Sequence, residues 1–319
     1  MKSESRSEQA AVMLKSGVMV ASLCLFSVPS RAAVPAPGDK FELSGWSLSV
    51  PVDSDNDGKA DQIKEKTLAA GYRNSDFFTL SDAGGMVFKA PLAGAKTSKN
   101  TTYTRSELRE MLRKGDTSIA TQGVSRNNWV LSSAPLSEQK KAGGVDGTLE
   151  ATLSVDHVTT TGVNWQVGRV IIGQIHANND EPIRLYYRKL PHHQKGSVYF
   201  AHEPRKGFGD EQWYEMIGTL QPSHGNQTAA PTEPEAGIAL GETFSYRINA
   251  TGNKLTVTLM REGRPDVVKT VDMSKSGYSE AGQYLYFKAG VYNQNKTGKP
   301  DDYVQATFYR LKATHGAQR

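Results

Sequence analysis

The chain has 319 residues, a formal net charge of +5, 37% hydrophobic residues and one cysteine. That length buries a sizeable core without covalent staples, and a lone Cys24 excludes an internal disulfide framework. The mild positive excess suits an acidic polymer but is equally ordinary solubility charge, and no recognisable module or lysine-rich stripe supports nucleic-acid binding.

Lys15 precedes an apolar run from Gly17 to Val28, too short to span a bilayer as a helix. Ser30-Arg31-Ala32 then offers a small-residue cleavage site. Residues 1–32 therefore read as a secretory signal containing Cys24, and 33–319 as a single domain. Bulky Leu23 ahead of Cys24 argues against a lipoprotein. The mature protein is expected to be secreted, extracellular or periplasmic, without membrane attachment. Residues 1–32 hold Lys2, Arg6, Lys15 and Arg31 against Glu4 and Glu8, so their removal takes the charge from +5 to +3.

The first chemically distinctive stretch is Asp53-Ser54-Asp55-Asn56-Asp57-Gly58-Lys59-Ala60-Asp61. Acidic groups at alternate positions followed by glycine match the first half of an EF-hand calcium loop, with Asp53, Asp55, Asp57 and Asp61 as candidate ligands. Lys64 stands where the closing glutamate belongs, which excludes a full EF-hand. A polar Asp/Gly turn is the alternative, and any calcium would be structural.

Helical periodicity is scarce beyond a short piece from Asp61 to Ala70. Strand signals recur at Glu42–Val50, Gly85–Ala90, Thr104–Leu112, Asn128–Ser133, Gly147–His157, Arg169–His176, Ile183–Leu190 and Ser197–Glu203. They resume at Thr243–Ala250, Lys254–Met260, Asp266–Asp272, Tyr284–Gln294 and Asp302–Lys312. Thr251-Gly252-Asn253 reads as a tight hairpin, and Gln221–Gly237 as a long loop. The pattern predicts an all-β fold, an antiparallel β-sandwich of jelly-roll type.

Three of these strands carry polar faces that cannot pack into a core. Side chains alternate along a strand, so Arg105, Glu107 and Arg109 share one side, opposed by Ser106 and Leu108. Gln174 and His176 flank an opposed Ile175. Tyr286, Lys288, Tyr292 and Gln294 oppose Phe287, Ala289 and Val291, with Gly290 leaving room for a close approach. Each alone is more ordinarily a solvated face or an ion-pair ladder. Together they supply a guanidinium, an amide, an imidazole and a phenol, a set suited to proton transfer beside an anion.

Arg-Ser-Glu-Leu-Arg at 105–109, Gln-Ile-His at 174–176 and Tyr-Phe-Lys-Ala-Gly-Val-Tyr-Asn-Gln at 286–294 resemble the three signature blocks of polysaccharide lyase family 7, the alginate lyases. The similarity extends to Trp213-Tyr214-Glu215-Met216 and to residues 239–246, and covers most of the chain from Phe41 onward. It implies a jelly roll whose concave sheet holds alginate, a chain of mannuronate and guluronate.

The chemistry of such a reaction can be argued from the groups themselves. Removing the C5 proton of a uronate piles charge onto an existing anion, so the carboxylate must be neutralised first. Arg105 binds a carboxylate bidentately and Gln174 donates an amide hydrogen. His176 is the candidate base, and Tyr292 the donor to the departing O4. The resemblance implies that Tyr292 is both acid and base where proton and leaving group share a face of the ring, and His176 the base for the opposite geometry. Gln-Ile-His is associated there with acceptance of guluronate-containing chains. Arg109, Tyr286, Lys288 and Gln294 are candidates for substrate binding with Glu107, whose carboxylate is better suited to positioning its cationic neighbours. The strand carrying Arg184, Tyr186 and Arg188 either extends the cleft or is an exposed surface strand.

The expected activity is a secreted, endo-acting alginate lyase, a monomer needing no cofactor. The alternative is a non-catalytic jelly-roll module that binds acidic polysaccharide. A glycoside hydrolase needs two carboxylates across the scissile bond, and the three polar faces offer Glu107 alone.

Overall fold

A computed structural model describes residues 34–219 and 232–317. The secretory signal expected over 1–32 and most of the loop expected over 221–237 lie outside the described residues. Within them the strands are β1 (Trp46–Ser49), β2 (Gln62–Ile63), β3 (Phe78–Leu80), β4 (Met86–Pro91), β5 (Arg105–Glu110), β6 (Trp129–Val130), β7 (Gly144–His157), β8 (Arg169–His176) and β9 (Ile183–Arg188). They continue as β10 (Lys195–His202), β11 (Gln212–Ile217), β12 (Ile238–Ala239), β13 (Thr243–Thr251), β14 (Lys254–Met260), β15 (Val267–Asp272), β16 (Tyr286–Asn293) and β17 (Tyr303–Gly316). Two short helices join them, α1 (Glu65–Ala69) and α2 (Leu136–Gln139).

One sheet runs β11-β10-β9-β8-β16-β5-β1-β2, with β12 added to β10. The other runs β15-β14-β13-β7-β17-β4-β3, with β6 added to β7. The pairings are antiparallel except β6 on β7, giving the expected sandwich within the unit from Pro35 to Arg319.

The two sheets meet through the alternating residues that the sequence assigns to the core. Phe287, Ala289 and Val291 of β16 and Leu108 of β5 are wholly buried, as are Phe88 and Phe308 of the facing sheet. Phe88 and Phe308 meet edge-on at 5.2 Å. Tyr246 reaches across the sandwich and donates its hydroxyl hydrogen to the Ile172 carbonyl at 2.9 Å. A Cβ on Gly173 would lie 2.6 Å from that hydroxyl, so the crossing needs glycine there.

Several expectations shift at their edges. The helix expected from Asp61 shrinks to α1, because Gln62 and Ile63 pair with Ser49 and Leu48 as β2 and Lys64 stays extended. The strand expected over Asn128–Ser133 keeps two residues, since the Ser132 amide turns to donate to Asp146. The expected hairpin forms, but Thr251 belongs to β13 and pairs with Lys254, leaving Gly252 and Asn253 as its loop. Gly252 adopts φ +57°, the left-handed conformation such tight turns demand.

Candidate active site

The strands carrying the three polar faces are neighbours, in the order β8-β16-β5. Their register sets Tyr292 opposite Arg105 and Lys288 opposite Arg109 on one side of β16. On its other side Lys288 lies opposite Gln174, and Tyr286 opposite His176. Residues far apart in sequence thus form one block. Gly290 sits at an irregularity in β16 with φ +135°. A Cβ there would stand 2.6 Å from the Ser106 carbonyl oxygen, so the close approach expected at this glycine is that of strand β5 itself.

Glu107 is the hub beneath the block. It accepts a hydrogen bond from Arg105 Nη1 at 2.9 Å, and others from Lys288 Nζ and Gln174 Nε2. Burial alone would raise its carboxyl, but Lys288 and Arg105 outweigh burial and hold it below the usual range. Lys288 answers in the opposite sense: burial, then Arg105, push it down to about 8 against the pull of Glu107. Glu107 is 2% exposed with both oxygens engaged. The structure gives Glu107, expected among the substrate-binding residues, no face toward the pocket: it is absent from the lining, and its contacts are with Arg105, Lys288 and Gln174.

Arg105 lies over the Tyr292 ring, its Cζ 3.6 Å from the centroid. Burial raises the Tyr292 hydroxyl above its ordinary value and Arg105 partly offsets this, so the phenol holds its proton at neutral pH and can give it away. Tyr103 meets the same ring edge-on at 6.2 Å. The His176 ring stacks on Tyr286 at 5.0 Å, and Arg109 covers Tyr286 at 4.1 Å while donating to the Thr121 carbonyl at 2.7 Å.

Above the block opens a pocket of about 500 Å³. Of the nine residues expected to act on or bind substrate, Arg105, His176, Tyr292 and Gln294 line it. Gln174, 1% exposed, has one amide hydrogen committed to Glu107. Arg109, Tyr286 and Lys288 flank and support the pocket's wall without lining it. Arg184 does line it, while Tyr186 and Arg188 are buried, so β9 extends the site and is not an exposed surface strand.

Sequence reasoning missed Glu181, Asn178 and Asn179, which follow β8 and line the pocket beside His176. Their one signal is their place, directly after Gln-Ile-His, where a turn must hold them at the rim. Glu181 lies 3.1 Å from His176 Nε2 and 3.8 Å from Arg184. Burial opposes its ionisation, but His176 and Arg184 bring its carboxyl down to about 2.

In the acidic loop, carboxylate oxygens of Asp53, Asp55 and Asp61 gather within 4.8 Å of one another. Asp57 is outside that group, its oxygens taken by the Lys59 amide and Nζ at 2.8 and 3.3 Å. Asp53 accepts from the Asp57 and Gly58 amides, and Asp61 from Ser54, the bonds that hold a polar Asp/Gly turn. The same loop braces the pocket's edge: the Ala60 amide donates to the Lys96 carbonyl at 2.9 Å, and Ser98 and Asn100 to Tyr103 follow into the pocket lining.

The sequence model of a family described as alginate lyase matches residues 41–315. An alginate lyase of Klebsiella pneumoniae is 99% identical over 307 residues, 96% of this chain and 100% of that protein. The crystal structure of the alginate lyase from Klebsiella pneumoniae is similar with a TM-score of 0.88 at 99% identity, over 89% of this chain and 100% of that one. An alginate lyase from Pseudomonas aeruginosa is 28% identical with a TM-score of 0.61, over 86% of this chain and 100% of the other.

Proposed function

The chain belongs to the alginate lyases of polysaccharide lyase family 7, and on that premise we infer that it is a secreted enzyme cutting alginate at internal bonds, by β-elimination, guluronate-containing stretches included. Arg105 neutralises the carboxylate of the uronate being cleaved, with help from the remaining amide hydrogen of Gln174. Tyr292, its proton retained by burial, delivers that proton to O4 as the C4–O4 bond breaks and C4=C5 forms. The base at C5 follows from stereochemistry. Mannuronate and guluronate are epimers at C5, so the proton points to opposite faces: on one, Tyr292 first releases its own proton to water, takes the C5 proton as the phenolate and hands that proton to O4; on the other, His176 takes it.

The observation that supports this reading best is the stacking of Arg105 on Tyr292 at 3.6 Å in the wall of a pocket that His176 also lines. It places the anion-neutralising group and the proton donor within one sugar unit of each other. Internal cleavage is supported by the open cleft that the family resemblance implies, and acceptance of guluronate by the Gln-Ile-His block. Secretion is supported by the signal pattern of residues 1–32.

The test is absorbance near ~235 nm, where a conjugated C4=C5 uronate absorbs, on separate poly-mannuronate and poly-guluronate. A rise on both, with viscosity falling ahead of the appearance of new ends, is the expected result. A rise without early loss of viscosity means cleavage from chain ends; a flat trace from folded protein leaves a binding module. No step calls for a metal, and calcium held by Asp53, Asp55 and Asp61 would be structural, so a chelator is expected to leave initial rates unchanged.

A further inference from the structure

His176 is engaged at both ring nitrogens. Nδ1 lies 2.6 Å from the Ala177 carbonyl oxygen, which can only accept, so this nitrogen carries a hydrogen. Nε2 is then the nitrogen available as base, and it lies 3.1 Å from a Glu181 carboxylate oxygen. Two acceptors against two nitrogens are satisfied when the ring donates from both. Glu181 is not a chance neighbour. Arg184 holds it at 3.8 Å and Glu203 at 3.3 Å, and Glu203, whose carboxyl burial raises, hydrogen-bonds Glu181 from behind. The next residue is pinned as well: His202 Nδ1 donates to the Pro182 carbonyl at 2.7 Å while its Nε2 accepts from the Ser276 hydroxyl at 2.7 Å.

The other charged and titratable groups around the ring stand elsewhere. Tyr286 covers one flat face, with Arg109 beyond it. Arg105 and Tyr292 line the same pocket from β5 and β16. Among these groups Glu181 is the one that meets Nε2.

We propose that Glu181 is a positioning residue for His176, holding the Nε2 hydrogen and the ring's orientation in the resting site; that proton leaves to water when guluronate binds, which frees Nε2 to receive the C5 proton. This rests on the reading of His176 as a base. In the first step the Nε2–H bond breaks and its proton passes to water in the pocket, the new O–H bond forming on that water. In the second the C5–H bond breaks, its proton goes to Nε2, its electron pair becomes C4=C5, and O4 departs with the Tyr292 hydroxyl proton. Water returns one proton to the Tyr292 phenolate. The net transfer is a single proton from C5 to O4.

The experiment compares pH profiles of kcat on poly-guluronate and poly-mannuronate for wild type, Glu181→Gln, Glu181→Asp and His176→Ala. On poly-guluronate, Glu181→Gln is expected to move the acid limb to lower pH by roughly 1 unit, the size of effect one adjacent opposite charge exerts. Glu181→Asp is expected to restore most of the wild-type limb, and the limb on poly-mannuronate to stay in place. A Glu181→Gln profile superimposable on wild type, or equally displaced on both polymers, overturns the proposal. His176→Ala separates the two readings. If it abolishes poly-guluronate turnover while Glu181→Gln changes nothing, the role of Glu181 alone fails; if it leaves that turnover intact, His176 is not the base. Ring ¹⁵N resonances of the unliganded wild type give a reading independent of any variant: hydrogen on Nε2 is expected, and a bare Nε2 overturns the proposal.

Discussion

Tyr292 and Glu107 lie on adjoining strands, one lining the pocket and the other buried beneath it, so their substitutions should read out differently. Tyr292→Phe deletes a hydroxyl and keeps the ring that Arg105 covers, so binding should survive while the proton donor is lost. We expect kcat to fall by about 10²–10⁴, the usual worth of a positioned acid or base, with KM changed little, measured by initial rates of unsaturated product. Glu107→Gln acts from beneath. It leaves Lys288 and Arg105 buried without their counter-charge, an imbalance worth about 3–5 kcal/mol. The expected outcome is a lower denaturation midpoint together with lost turnover, because Arg105, Lys288 and Gln174 all lose the group that aligns them. A stability curve unchanged from wild type would remove Glu107 from the centre of the site.

At the scale of elements, β16 is the strand on which both halves of the molecule depend. Its outward residues join the site while Phe287, 0% exposed, lies against Trp129 and His315 on the inner side. Phe287→Ala should cost about 3–5 kcal/mol, as large cavities in tightly packed cores do, and thermal or urea unfolding checks it. This two-sidedness was legible in the sequence, because a period of two sorts β5, β8 and β16 into a polar and an apolar row. Depth was not legible. Periodicity assigns Glu107, Gln174 and Lys288 to the correct face but cannot say that their neighbours will cover them. Nor could it find Glu181, whose place depends on how the turn after β8 returns into β9. Short pieces escaped for another reason: β2 and β12 have two residues each, too few to display alternation, and β11 is an edge strand whose inner side is covered only in part.

For the molecule as a whole, stability against pH is set by groups of opposite sign. His315 donates toward Glu110 at 2.8 Å within the sandwich. Burial lowers its affinity for a proton, yet Glu110 outweighs burial and raises it above the usual value. A raised folded value contributes stability that is fully present below the unfolded value near ~6.5 and is lost as pH rises through the folded one. Glu107, Glu65 and Glu181 are held low instead. Their contribution is present above the unfolded value near ~4.5 and disappears as pH falls through the folded ones, for Glu181 down toward about 2. Urea midpoints across pH should therefore peak on the mildly acidic side of neutrality, and His315→Gln should flatten the alkaline slope while leaving the acid one. The order of strands carries one more consequence. β16 sits in the interior of one sheet and β17 in the interior of the other, although they are the last two strands along the chain. Neither sheet can close while a nascent chain still lacks them, and pairing over such sequence separations is slow. The pocket waits on the same event, because Tyr292 and Gln294 join its lining only once β16 has been made.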